Sequence, residues 1–239
     1  MTKFPLIAAL YLIAHSMGAA AQTADELVKK HVDAMGGLDN WKKVNTTLIT
    51  GNLNLGGKEF PVSITTLNKK GYRLEFTING MSNYTIVTPD NGWMYMPIQG
   101  QTKAEAMPAE EVKQEQDNLD VAMDALIDYK AKGNKVTYLG KDEVEGTECY
   151  KLKVTHSTGK EETDFLDVGT YYCIRTVEKT TANGKEEESI SNLSNFQKLP
   201  EGVVFPMSIE SDGAPITLKT IEINKPVDES IFKPNEVKK

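Results

Sequence analysis

The chain has 239 residues, 39% of them apolar and 26% charged, and a formal charge of -7. That balance describes a globular protein, and no stretch after the N-terminus is apolar enough to cross a bilayer. The acidic surface, without a Lys/Arg cluster interleaved with aromatics, excludes nucleic acid as a partner and disfavours anionic lipid head groups, so any lipid contact must use apolar surface.

At the N-terminus Lys3 precedes an apolar run from Phe4 to Ala14, too short to span a membrane, and Ala19-Ala20-Ala21 offers the small residues a signal peptidase accepts. Residues 1–21 therefore read as a secretory signal peptide and 22–239 as a single domain. Cleavage after Ala21 leaves 218 residues and, with Lys3 gone, a charge of -8. No cysteine lies near the cut, so an anchor on the protein's own N-terminus is not expected, and the predicted location is the periplasm.

Thr23-Ala24-Asp25-Glu26 has the spacing of a capping box, Leu27, Val28, Val32 and Met35 form the apolar stripe of a helix, and Gly36-Gly37 stops it. A short second helix around Leu38 to Val44 would turn Trp41 inward. From Thr46 to Val87 the pattern becomes alternation, clearest in Tyr72-Arg73-Leu74-Glu75-Phe76-Thr77-Ile78, which predicts a half-buried antiparallel strand. Trp93-Met94-Tyr95-Met96, closed by Pro97, puts large apolar side chains on both faces of a strand. Neither face expects water.

Between Pro108 and Lys132 the period predicts a further helix, with Glu110 and Glu111 in its first turn and Met123, Leu126, Ile127 and Leu119 on its apolar stripe. One amphipathic segment interrupting many strands is a natural cover for a curved sheet. After it, Lys135 to Leu139, Cys149 to Thr155, Glu162 to Val168, Tyr172 to Thr180, Glu187 to Phe196, Val204 to Glu210 and Ile216 to Ile223 read as strands. Glu145-Gly146, Thr158-Gly159, Asn183-Gly184 and Asp212-Gly213 supply turns. Simple hairpins at Thr158-Gly159 and Gly169-Thr170 would align Leu152, Phe165 and Ile174 on one face with Tyr150 and Val154, leaving Lys151, Lys153 and Arg175 on the other. In that register Cys149 and Cys173 stand two strand spacings apart, about 9.6 Å, too far for a disulfide.

Reaction chemistry is sparse. The chain lacks G-x-S-x-G, a P-loop, H-E-x-x-H and Cys-x-x-Cys, and no metal or cofactor is expected. His31 and His156 read as surface residues, and acidic runs such as Glu186-Glu187-Glu188 as solvated turns. An envelope hydrolase would need a nucleophile with a base in reach, which no motif offers, so the reading is a non-enzyme.

Trp93-Met94-Tyr95-Met96-Pro97 resembles the W-x-Y-x-P strand of the outer-membrane lipoprotein carrier family, the LolA-like lipoprotein-sorting proteins. "NKKGYRLEF" upstream is similar to that family's basic segment and strand. "GKDEVEGTECYKLKV", "DVGTYYCIRTVEK" and "GVVFPMSIES…TIEINKPVDESIFKP" resemble its later motifs in order and spacing. The likeness spans nearly the whole of 22–239 and is closest to the branch seen in Bacteroidetes. It implies an α+β fold: a strongly curved antiparallel sheet, an incomplete β-barrel, with helices covering its concave face over an apolar cavity. It further implies a monomeric carrier or chaperone that shelters lipoprotein acyl chains or free lipid between inner- and outer-membrane handover proteins. Leu74, Phe76, Trp93, Tyr95, Leu152, Phe165 and Ile174 are the expected wall of that cavity, and Met123, Leu126 and Ile127 its lid. Where the family has an Arg-Pro latch this chain has Lys69-Lys70-Gly71, which carries the latch over to Lys69, Lys70 or Arg73. The alternative is a sensory module of the same fold that binds a protein partner in envelope-stress signalling.

Overall fold

Thr23 opens the first helix, α1 (Ala24–Ala34), with the expected capping box: its hydroxyl accepts from the Glu26 N–H, and the Glu26 carboxylate accepts from the Thr23 N–H. The computed structural model describes residues 23–182 and 185–234; the expected leader and the Asn183-Gly184 turn lie outside them. Leu27, Val28 and Val32 are buried along α1, and a one-turn helix, α2 (Leu38–Trp41), carries Trp41 inward. There the indole N–H donates to the Met35 carbonyl at 2.8 Å and the ring meets Phe205 at 5.1 Å.

Among the described residues thirteen strands form one antiparallel sheet. They are β1 (Thr46–Leu55), β2 (Lys58–Leu67), β3 (Gly71–Ile78), β4 (Met81–Val87), β5 (Gly92–Tyr95), β6 (Glu105–Ala106), β7 (Lys135–Val144), β8 (Thr147–Thr155), β9 (Glu161–Asp167), β10 (Cys173–Ala182), β11 (Lys185–Lys198), β12 (Val204–Ser211) and β13 (Ala214–Ile223). Their spatial order is β6-β5-β4-β3-β2-β1-β13-β12-β11-β10-β9-β8-β7, so β1 and β13 pair at the centre and β6 and β7 are open edges. The sheet is not closed. Its curvature follows from the core: Tyr72 and Val87 on one arm and Leu152 and Leu166 on the other belong to one cluster of buried side chains, together with Leu27 and Trp41 of the cover. Strands so far apart in the sheet share a core only if the sheet curls around it. The fold is an α+β incomplete barrel with short helices over its concave face.

The cover departs from expectation in its second half. Instead of one helix from Pro108 to Lys132, a six-residue helix, α3 (Ala109–Gln114), passes into a 3-10 turn at Glu115–Leu119 and then into irregular turns. Aspartates cause this. The Asp120 carboxylate accepts from the Ala122 N–H at 2.7 Å and Asp124 from the Leu126 N–H at 2.9 Å, and such local bonds compete with helical ones. Met123 and Asp128 consequently take left-handed backbone angles, φ 51° and 52°.

The register of β8, β9 and β10 also differs from the simple-hairpin alignment. Phe165 opposes Lys151 and Arg175, while Leu152 opposes Asp164. Residues 156–160 form a longer connection than a two-residue turn, closed by the His156 N–H on the Lys160 carbonyl, and a bulge follows Cys173. A one-residue slip sends every side chain to the other face. Phe165 and Ile174 accordingly pack on the far face with Val144 and Cys149, whereas Tyr150, Leu152 and Val154 face the cover. The two cysteines are free and on opposite faces.

Candidate functional site

Under the cover, at the centre of the sheet, lies a hollow with about 70 Å³ of enclosed space, or about 570 Å³ when the open space out to its mouth is counted. Ile49 and Ile64 of β1 and β2 and Leu218 of β13 form one wall; Phe205, Ile209 and Leu193 of β12 and β11 form another. They meet because alternation puts these residues on the covered face of neighbouring strands, Leu193 opposite Ile209 and Ile49 opposite Ile64. Met35 at the end of α1 and the turn Ala122-Met123-Asp124 close the roof. Met123, 41% exposed, stands at the mouth, and Asp124 is the single charged residue of the lining.

Asp124 is not free to meet a ligand cation. The His31 imidazole, 0% exposed, sets Nε2 at 2.9 Å from the Asp124 carboxylate and Nδ1 at 2.8 Å from the Tyr171 carbonyl. Burial alone would pull the His31 pKa down; the Asp124 carboxylate and the Tyr171 carbonyl outweigh it, and the net direction is upward. Burial likewise pushes Asp124 up, but His31 and Lys132 hold it below the usual carboxylate range. At the other end of the cover, His156, 6% exposed, lies between Asp117 at 2.7 Å and Glu162 at 3.3 Å. Burial opposes its charge, yet the two carboxylates raise its pKa to about 9. Neither histidine is a surface residue. Asp124 lies 93 positions from His31 and Asp117 lies 39 from His156, and no local pattern signals such pairs, although Glu162 follows His156 by only six.

The expected cavity residues are dispersed. Met123 lines the hollow, whereas Leu126, Ile127 and Leu152 are solid core, and Leu74 packs against that core from β3. Phe76, opposite Val62 and Asn83, keeps the same face as Leu74 but is half-buried outside the core cluster. Four do not belong to the cavity. Trp93 and Tyr95 oppose Ile86 and Tyr84 on the far face, where Val227, Ile231 and Phe232 of the C-terminal segment cover them. Phe165 and Ile174 lie on that face for the register reason given above. Both faces of β5 are still sheltered: Met94, opposite Thr85, and Gly92, opposite Val87, point toward the cover. The residues that do line the hollow, Leu193, Phe196, Phe205, Ile209 and Leu218, sit in strands legible from the sequence; alternation was the available signal for Phe205 and Ile209, but not for Phe196, three positions from Leu193 with Asn195 at φ 56° between them.

The latch carried over to Lys69, Lys70 or Arg73 takes another form. Arg73 faces away from the cavity, stacked on the Tyr84 ring at 4.3 Å and donating to Glu75 and the Ile231 carbonyl. Lys70 pairs with Glu229, and only the Lys69 backbone N–H touches the cover, at the Leu119 carbonyl, 2.8 Å.

No family model matches the chain, and no curated protein matches it. Solved structures do. A LolA superfamily protein from Nitrosomonas europaea aligns with a TM-score of 0.57 at 9% identity, over 89% of this chain and 98% of that one. A domain assigned to outer membrane lipoprotein sorting from Vibrio parahaemolyticus gives 0.55 at 9% identity, over 87% and 94%. A Desulfovibrio piger protein from a family named only as a domain of unknown function gives 0.50 at 14%, over 89% and 98%. At such identities the likeness concerns architecture alone, and the chain has a LolA-like fold.

Proposed function

We propose that this protein is a periplasmic carrier or chaperone that holds the hydrocarbon part of a lipoprotein or a free lipid, exported by its leader and acting as a monomeric domain over residues 22–239. The observation that carries the reading is the hollow between cover and sheet centre, apolar except for one carboxylate that is already paired. Transfer of about 15 methylenes out of water is worth on the order of 12 kcal/mol, an amount that apolar surface supplies and a few polar anchors do not. A ligand would place its tail among Ile49, Ile209 and Leu218 and leave its head outside, past Met123. The names of the Nitrosomonas protein, a LolA superfamily member, and of the Vibrio domain, assigned to outer membrane lipoprotein sorting, point the same way. Binding is the whole of the proposed activity, with no cofactor.

Native mass spectrometry of protein purified from the periplasm tests this. The expected species carries a lipid, and Leu193→Trp, which fills the hollow from β11, should weaken retention at least about tenfold, the equivalent of roughly 1.4 kcal/mol, while leaving the thermal midpoint within a few degrees. Equal retention by Leu193→Trp, or a stoichiometric protein partner with an empty cavity, would overturn the reading.

A further inference from the structure

We propose that the turn Asp120–Asp124 is the movable wall of the cavity and that the His31–Asp124 pair is its latch, so that the rate at which a hydrocarbon enters is set by a proton on His31. The inference rests on the cavity reading above and adds its regulation.

The geometry is as follows. From Asp120 to Gly133 the backbone hydrogen bonds among the described residues stay within residues 117–134, and none reaches the sheet. The last backbone tie before that stretch is the Lys69 N–H on the Leu119 carbonyl. What fastens the stretch beyond it is side chains: Val121, Leu126 and Ile127 buried in the core, and the polar contacts of His31 to Asp124 at the mouth, Lys42 to Asp128, Asn134 to the Ala125 carbonyl, and the exposed Tyr129 and Lys130 to Asp25. Of these, only the His31 contact holds a residue that itself lines the cavity. The same ring, when its Nδ1 is protonated, donates to the Tyr171 carbonyl on its other side, and both turns it joins are strained, Met123 with φ 51° and Tyr171 with φ 61°. A non-glycine residue stays in that region only where its surroundings force it, and His31 is the group common to both turns.

A cationic imidazolium satisfies both partners at once, because each ring nitrogen then donates. The neutral ring keeps one donor and leaves either the carboxylate or the carbonyl unmet. The other charges facing this pair are Lys132, which ion-pairs with Asp120 at 2.8 Å and donates to the Asp124 carbonyl, and Lys30, which donates to the Tyr171 hydroxyl. From the sheet, Asp164 and Cys173 both feel the Asp124 charge, and burial pushes both pKa values well up. Contact with the Tyr171 hydroxyl raises the Lys30 pKa, so Lys30 keeps its charge where histidine titrates, and His31 is the group whose two ring nitrogens reach both turns. Because its pKa is raised above the ordinary 6.5, the closed state is fully favoured below that value and loosens as the pH rises through the folded-state pKa. His156 titrates on the same cover, through Asp117, and needs its own control.

The test compares wild type, His31→Gln and His156→Gln by amide exchange protection of residues 120–128 and by the stopped-flow entry rate of the apolar dye N-phenyl-1-naphthylamine. In His31→Gln, protection of this stretch should fall and dye entry should accelerate by about tenfold or more, a change equivalent to one pKa unit of coupling, with protection in β1 and β13 unchanged. Wild type and His156→Gln should show the same acceleration as pH rises, and His31→Gln should show none. If His31→Gln does not fold, the pH series on wild type and His156→Gln decides alone, and flat entry rates there overturn the latch. Faster exchange at 120–128 with no dye entry in any chain supports the latch and overturns the cavity. Dye entry at one rate in all three chains, with unchanged exchange, supports the cavity and overturns the latch.

Discussion

His156 shows how much one buried side chain can carry. It stands between Asp117 of the cover and Glu162 of β9, so its charge joins two elements that share no backbone hydrogen bond at that point. Because its folded-state pKa of about 9 lies above the ordinary 6.5, protonated His156 stabilises the fold fully below about pH 6.5, and that contribution is lost as the pH climbs through 9. The difference is on the order of 3 kcal/mol. Urea unfolding between about pH 6 and about pH 10 should show wild type losing stability with rising pH. His156→Gln should start lower and stay nearly level across the same range; parallel curves would mean that the ion pairs contribute nothing. Leu152 illustrates the opposite case. As a fully buried core residue, it is a poor probe of binding, since a charge placed there is a folding lesion.

At the scale of elements, the junction of α1 with the hairpin between β11 and β12 fixes one side of the cavity's roof. Gly36 ends α1 at φ +103°, and a Cβ there would sit 2.2 Å from the Gly202 carbonyl oxygen. Gly37, at φ +85°, has nothing within 4 Å. Strain alone costs about 1–2 kcal/mol, and a backbone clash adds to it. Gly36→Ala should therefore lower stability by roughly 3 kcal/mol or more and Gly37→Ala by about 2 kcal/mol, measured by chemical denaturation. Equal losses would show that the close approach to Gly202 does not matter. The cover after α3 is the contrasting element. Its aspartates replace helical hydrogen bonds by local ones, which produces a wall fastened by side chains over a sheet fastened by ladders.

On the scale of the whole molecule, the sheet is greasy on both faces, but for two separate purposes. One face carries the core and the hollow; the other carries a small cluster of Tyr84, Ile86, Trp93 and Tyr95 closed by Phe232 and Ile231. The two are insulated by the sheet itself, so disturbance of one should leave the other intact. Phe232→Ala should shift Trp93 emission to longer wavelength while the affinity for an apolar dye changes by less than about twofold, or roughly 0.4 kcal/mol. A parallel loss of dye binding would mean that the C-terminal segment shapes the cavity after all. Among the described residues no helix is long and apolar enough to cross a membrane.

Most of the architecture was legible along the chain, because capping boxes, glycine stops and two-residue alternation are local: the box at Thr23, the inward Trp41 and the later strands lie where the pattern puts them. Alternation also determines which residues share a face, as with Trp93 and Tyr95 on β5. It does not say which face is covered, and here the C-terminal segment returns to claim the far one. Nor does it set register, which the connection at 156–160 and the bulge after Cys173 decide for Phe165 and Ile174. The pairing of His31 with Asp124, the burial of His156 and the gathering of Leu193, Ile209 and Leu218 around a hollow depend on strands and turns far apart in sequence. Proximity of that kind is a property of the curled sheet, and only the tertiary structure decided it.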